Sequence, residues 1–256
     1  MRRQKRGRIE GSSPRHPSTV AMDGGGAMHE RALRTYAKQD RAIRTRQAIL
    51  AAAAEKFAEH GFGGATIADI LQRAGCTKGA FYFHFATKEQ VAETLLDDLD
   101  LDELTAPQKN KIQEWVDVGM KSAHCLQHSQ GFRAAMRLAT GSTKDQFGSV
   151  WDEWARLVNR PLFEAKERNE LRDDVQPAEH SESVMLILAG AAILGADGEG
   201  DELERVISNY YAHLLPSIAG PGKWPDLHPG RGRELHRTRH SNEADGAGSA
   251  LLRRIA

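Results

Sequence analysis

The stretch Thr77-Lys78-Gly79-Ala80-Phe81-Tyr82-Phe83-His84-Phe85, followed by Ala86-Thr87-Lys88-Glu89, constrains this chain more than any other. It combines a helix-capping threonine, two residues with almost no side chain, a cluster of aromatic rings and several groups able to reach a phosphate. All of them fall within one short helix. That combination suits an element pressed into a DNA groove, and it points to transcriptional regulation before composition is considered.

Composition narrows the alternatives. With 256 residues, 40% hydrophobic and 27% charged, the chain can bury one sizeable core or two small ones. The longest apolar run, residues 184–196, has 13 residues and contains Gly190 and Gly195, so it is too short to cross a bilayer. The basic N-terminus has no apolar segment behind it and does not read as a secretory signal. Met22 and Met28 leave open a later translation start. Cys76 and Cys125 stand far apart with no pairing framework, which fits a reducing compartment. A cytoplasmic protein without a membrane partner is expected.

The formal charge of zero conceals an asymmetry. Residues 1–46 carry twelve Lys and Arg against four Asp and Glu, a net +8, while acids such as Asp97, Asp98, Asp100, Asp102 and Glu103 balance it further on. A basic leading segment favours a polyanion partner, although terminal charge runs are often simply solvated.

Along the chain, residues 1–38 are rich in Gly, Ser, Pro and Arg and are expected to be a disordered basic tail; 220–256 read as a flexible C-terminal tail. Everything between reads as helix, with no strand alternation and no repeat of solenoid length, so the expected fold class is all-α. The first helix should run from near Asp40 to His60, because Ile43, Gln47, Leu50, Ala54, Phe57 and Ala58 recur at three- and four-residue steps. Thr66 caps a second helix, Gly75-Cys76 turn the chain, Thr77 caps a third and Thr87 a fourth. Helix, glycine turn, helix at this spacing is a helix-turn-helix, placed in residues 39–86. Gly61-x-Gly63-Gly64 is a connector and not a phosphate-binding loop, since it follows a helix and lacks the third glycine at the required offset.

Residues 41–96 resemble the DNA-binding domain of TetR-type repressors. The resemblance is carried by Ile49-Leu50, Phe57, Gly61-Phe62, Thr66-Ile67-Ala68-Asp69-Ile70, Ala74-Gly75 and the Thr77–Phe85 stretch with Lys88-Glu89. Within that family the wording is most similar to the gamma-butyrolactone autoregulator receptors, which govern antibiotic production and development in filamentous soil bacteria. The ending Tyr210-Tyr211-Ala212-His213-Leu214-Leu215-Pro216-Ser217-Ile218-Ala219 also resembles theirs. Gly79 and Ala80 allow close approach to the major groove, with Ala80 able to touch a thymine methyl and Lys78 able to reach a guanine edge or a phosphate. By the resemblance, Tyr82, His84 and Lys88 correspond to backbone-contacting positions. Thr66 and Thr77 can give hydroxyl and amide hydrogen bonds to phosphate. Phe81 and Phe85 read as core, and Phe83 fits either the core or DNA.

Residues 87–219 should form a ligand-binding and dimerisation domain, with helices near Gln108–Gln127, Phe132–Leu138, Phe147–Arg168 (kinked at Pro161), Ser181–Leu194 and Asp201–Leu215. The segment Val184–Leu194 is apolar on every side and is expected to be buried against a second copy of the chain. Leu188, Ala191, Ala192, Tyr211 and Leu214 are the interface candidates, the alternative being the central helix of a monomer. Trp151 and Trp154 read by themselves as core packing. The resemblance implies one pocket tryptophan, which Trp154 fits better, with Val118, Met120, Leu157, Val158, Phe163 and Ile187 as apolar walls. His124 and His128 are spaced i, i+4, as metal-binding pairs are, but no third ligand stands at a diagnostic spacing, so neither a metal nor another cofactor is expected. No nucleophile signature suggests an enzyme. The expected function is a homodimeric repressor of operator DNA released by a small hydrophobic signal of gamma-butyrolactone type. The alternatives are the same fold answering to a butenolide, furan or antibiotic, or a ligand-binding helical protein that does not act on DNA.

Overall fold

The computed structural model describes residues 24–140, 143–194, 201–223 and 227–228. The order is α1 (Gly24–Gly64), α2 (Ile67–Ala74), α3 (Lys78–His84), α4 (Lys88–Asp97), α5 (Lys111–His128), α6 (Gln130–Leu138), α7 (Lys144–Phe147), α8 (Ser149–Glu167), α9 (Pro177–Leu194) and α10 (Glu202–Ile218), with one 3-10 turn at Leu101–Leu104. Among the described residues the only extended pairing is an isolated bridge between Leu171 and Ala219. The stretch up to Ala42 is a unit of its own, and Ile43–Ala256 forms a second.

Local chemistry sets the helix starts as expected. Thr66 and Asp69 make a reciprocal capping box at α2, Thr77 accepts from the Ala80 N–H at 3.2 Å, and Thr87 accepts from the Gln90 N–H at 3.1 Å. Gly75, with φ 63°, ends α2, and Gly61, with φ 68°, breaks the helical path of α1. The first helix departs from expectation at its start. The part of the presumed tail that is described, from Gly24, is already helical, in keeping with the helix-forming run Ala27 to Lys38; residues 1–23 lie outside the described residues. The element α8 runs as one helix through Pro161.

Two apolar cores result. The smaller is built from Ile49, Leu50, Phe57, Ile70, Phe81, Phe85 and Val91, and it also takes Ala134 and Leu138 from α6 and Phe147 from α7. The larger surrounds α5, whose first ten residues are all buried, and holds Trp115, Phe132, Trp154 and Tyr211. Burying the start of α5 requires its polar groups to be paired. Glu170 accepts from the Lys111 and Ile112 N–H groups at 2.6 and 3.2 Å, capping the helix from 58 and 59 residues away. Burial alone would lower the Lys111 ammonium, but hydrogen bonds to Glu114 (2.7 Å) and Glu164 (2.8 Å) outweigh it and hold it above the usual lysine value. At the other end of the chain the expected flexible tail begins by docking. Leu227 is buried, and Gln113 exchanges hydrogen bonds with the His228 backbone, so the fold reaches past Ala219.

The expected interface residues divide in two. Leu188, Ala192 and Tyr211 face the protomer's own core and are corrected to that role, whereas Ala191 and Leu214 are only partly buried. The physical reason is that α9 and α10 pack against α5 with those positions inward. Tyr211 lies edge-on to Trp115, with ring centroids 4.9 Å apart, over the backbone of Gly119. A methyl group at Gly119 would collide with the Tyr211 hydroxyl. Gly119→Ala is therefore expected to cost about 1–3 kcal/mol in thermal or urea unfolding, and combining it with Tyr211→Phe should recover part of the loss. An unchanged melting temperature for Gly119→Ala would remove Tyr211 from this position.

Candidate functional site

The element α3 has one buried side and one bare side. Phe81 is fully buried and Phe85 nearly so, their rings 6.1 Å apart, and these two anchor the helix in the smaller core. The opposite side presents Thr77, Lys78, Gly79, Tyr82 and Phe83, with Phe83 77% exposed, and Ala80 and His84 at its margins. Its ring lies edge-on to that of the neighbouring His84, with centroids 5.0 Å apart, and is otherwise largely in solvent, which favours an outward role over a place in the core. Gly79 gives the same signal. Its φ is not left-handed, and an added Cβ would meet the Thr77 hydroxyl at 4.0 Å, so nothing among the described residues calls for glycine there. A residue that weakens the helix without internal cause fits close approach from outside.

Electrostatics add detail. The Lys78 ammonium lies 5.9 Å over the Tyr82 ring, and the Arg46 guanidinium lies 5.2 Å over Phe85 beside α3. Burial, and secondarily the charge of Arg46, hold His84 below the ordinary imidazole value, leaving a neutral ring with one N–H donor at neutral pH. Two expected backbone contacts are corrected. The Thr66 hydroxyl donates to Asp69 at 2.6 Å and accepts from its N–H, so its hydrogen-bonding capacity is taken by the capping box. Lys88 donates to the Phe62 and Ala65 carbonyls at 2.6 and 2.9 Å, with its ammonium 4.2 Å over the Phe62 ring. It closes the end of α1, satisfying carbonyls the helix leaves open, and ties the start of α4 to them.

In the larger domain a cavity of about 340 Å³ lies between α8 and α9. Trp151, Ala155, Asn159 and Phe163 line it from α8, and Ala178, Ser181, Glu182 and Met185 from α9, at the i, i+3, i+4 spacing of single helix faces. Asn159 Oδ1 and Ser181 Oγ are buried there without a hydrogen-bond partner among the described residues. Two such polar atoms in a ligand-sized cavity with mostly apolar walls and the exposed Glu182 at its rim are what a small amphipathic molecule would satisfy. Trp151 and Phe163 thus line the same cavity. Trp154 is not on this cavity. It is fully buried behind it, donating Nε1–H to the Ser122 hydroxyl at 3.0 Å and packing edge-on against Trp151 and Phe132. Val118, Met120 and Val158 are buried in the core with it, and Leu157 and Ile187 pack at its border, so none of these lines the cavity. Sequence reasoning missed Asn159 and Ser181, whose only signal was their helical register with Trp151, Phe163 and Met185. It also missed Trp115, whose buried Nε1–H has no acceptor among the described residues.

A third cluster comes together at the end of α5. His124 and His128 meet Glu204 of α10, a third potential metal ligand that no sequence spacing indicated. Between the two histidines, burial pushes the Cys125 thiol up to about 12, so it is inert.

Residues 49–95 match the family of bacterial regulatory proteins called tetR. The A-factor receptor protein of Streptomyces griseus is 33% identical over 226 residues, spanning 83% of this chain and 82% of that protein. This chain belongs to the TetR family. Within it the resemblance is to the autoregulator-receptor type. Full-length TylP, a TetR regulator from Streptomyces fradiae, is 30% identical, covering 78% of this chain and 98% of its own, with a TM-score of 0.57. The TetR-family protein CprB from Streptomyces coelicolor, in complex with its operator sequence, shares the fold at 24% identity and a TM-score of 0.61, covering 73% of this chain and 94% of its own. In this TetR-family chain, then, α2 and α3 are the helix-turn-helix and α3 is the recognition helix.

The freedom of Gly79 yields a test with two readouts of opposite sign. Gly79→Ala should raise unfolding stability by up to about 0.5–1 kcal/mol, because alanine suits the helix and meets no obstacle. The same substitution should weaken DNA binding at least about tenfold if the groove approaches that backbone. Stabilisation with unchanged DNA affinity would place the DNA elsewhere.

Proposed function

We propose that this TetR-family protein is a homodimeric transcriptional repressor that leaves a pseudo-palindromic operator when a small hydrophobic signal, of gamma-butyrolactone type, enters the cavity between α8 and α9. The observation that carries the reading is the bare face of α3, aromatic and side-chain-poor at once, on a helix anchored by Phe81 and Phe85. Thr77, Lys78, Tyr82, Phe83 and His84 would meet DNA around Gly79 and Ala80. The A-factor receptor likeness supports the signal class. So does the cavity's chemistry: Ser181 O–H suits a lactone carbonyl, Asn159 Oδ1 suits a donor on the signal, and Trp151, Phe163 and Met185 suit its apolar chain.

Two recognition helices require a dimer. In the protomer α9 exposes Leu186 (66%) and Ile193 (46%), and α10 exposes Val206 (41%), with Gly190, Tyr210 and Leu214 partly exposed beside them. These stripes at helical spacing would pack in a four-helix interface between copies. Release follows from packing. Trp151 touches the cavity and Trp154, Trp154 packs on Phe132 of α6, and Ala134 and Leu138 of α6 lie in the smaller core. A signal that displaces Trp151 would shift α6, and with it the two recognition helices, off successive major grooves.

Leu186→Asp, exposed in the protomer, should give a folded monomer by sedimentation and weaken operator binding by at least about tenfold; an intact dimer would overturn the interface. Ser181→Ala and Asn159→Leu should leave operator affinity unchanged yet raise the lactone concentration needed for release by about tenfold each. Equal lactone response in wild type and both variants, in an operator titration, would remove the signal from this cavity.

A further inference from the structure

The cluster of His124, His128 and Glu204 belongs neither to the DNA-facing surface nor to the α8–α9 cavity. His124 and His128 stand i, i+4 in the last turns of α5, so both imidazoles leave the same face of that helix. Their rings are 4.5 Å apart. Across from them, in the first turn of α10, Glu204 is only 2% exposed, and its Oε1 lies 2.7 Å from His124 Nδ1 and 3.4 Å from His128 Nε2. Asp201 Oδ1, at the α10 N-cap, lies 3.7 Å from the same His128 nitrogen. The one nitrogen or oxygen that each of the three core residues offers lies within 4.8 Å of the other two.

We infer that these side chains form a binding site for a divalent transition-metal ion of the zinc class, with His124 Nδ1, His128 Nε2 and Glu204 as ligands and Asp201 or water in the fourth position. A tetrahedral ion with bonds of about 2.0–2.1 Å sets its ligand atoms about 3.3–3.4 Å apart. The His128–Glu204 separation of 3.4 Å already has that value, and the His124–Glu204 hydrogen bond of 2.7 Å has to open by roughly 0.6–0.7 Å. The ligand set selects the metal. Two imidazole nitrogens with one or two carboxylates suit zinc, copper, nickel or cobalt, and not the all-oxygen shells of magnesium or calcium. A divalent ion also supplies the positive partner that a carboxylate at this depth calls for.

Such an ion would join residues 76 and 80 positions apart in the chain, tying the last turns of α5 to the first turn of α10. Binding to the folded state alone stabilises that state, so the metal should read out in melting temperature independently of DNA or signal.

The test uses the full chain, stripped with a chelator and titrated with zinc by calorimetry and with cobalt by absorption. Wild type should bind one ion per chain at this site, tightly enough to survive dialysis against micromolar buffer zinc. Its melting temperature should rise by about 5 °C at a hundredfold excess over Kd. His128→Ala, at a half-exposed position, and Glu204→Gln, which keeps the buried shape, should each weaken the site at least about tenfold and cut the thermal shift at the same zinc concentration to about half or less. A variant lacking His236 and His240 of the C-terminal tail should keep both. Equal zinc affinity and equal thermal shift in wild type and His128→Ala would show that the ion is held elsewhere, and absence of saturable binding to wild type would likewise overturn the site.

Discussion

The short helix α6 is shared by two cores, and that sharing is the constraint on which the rest of the structure depends. Phe132, Ala135 and Met136 lie in the larger core, while Ala134 and Leu138 lie in the smaller one with Phe57, Phe81 and Phe85. Arg137 strengthens the junction by donating to the Ala58 carbonyl at 3.0 Å, near the end of α1. Interiors are packed to the density of organic crystals, so α6 cannot shift on one side and stay still on the other. The recognition helix is thereby tied mechanically to whatever moves Phe132. Through the edge-on stack Phe132–Trp154–Trp151, that includes the cavity wall. The coupling needs no contact between signal and DNA, only two packings of this junction that differ by a few kcal/mol.

A second tension runs through the helix-turn-helix. Its inward residues follow the ordinary rules of a small core, whereas its outward ones break them, with Phe83 in water and glycine inside a helix. Local rules tend to be broken at sites of function, where a partner makes good what the chain alone leaves unsatisfied. The same reasoning marks Asn159, Ser181 and the buried Glu204. Each is a polar group whose surroundings within the chain are incomplete or unusual, and each lies where a ligand or an ion fits.

How much was legible in the sequence follows from the range of the interactions. Thr66, Thr77 and Thr87 cap within three residues, so α2, α3 and α4 start where their sequences indicate. Phe81 and Phe85, read as core residues, are buried. Long-range pairings were not legible. Lys88 turning to carbonyls 23 and 26 residues away, Ser122 taking the Trp154 indole, and Glu204 joining a histidine pair 76 and 80 residues earlier leave no local trace. The apolar run of α9 announced burial but not against what. Its own protomer covers Leu188 and Ala192 and leaves Leu186 and Ile193 exposed. The helical run from Gly24 was obscured by its glycines, although residues 27–38 are helix formers.

The central claim is that signal and operator compete through one protein, and linkage makes the most direct test. Lactone affinity should be measured from the quenching of tryptophan fluorescence, with and without saturating operator recovered by in vitro selection, alongside operator affinity with and without saturating lactone. Thermodynamic reciprocity predicts that operator weakens lactone binding by the same factor, about 5–150-fold, by which lactone weakens operator binding. Lactone binding of equal strength to the free and the operator-bound dimer would contradict the account.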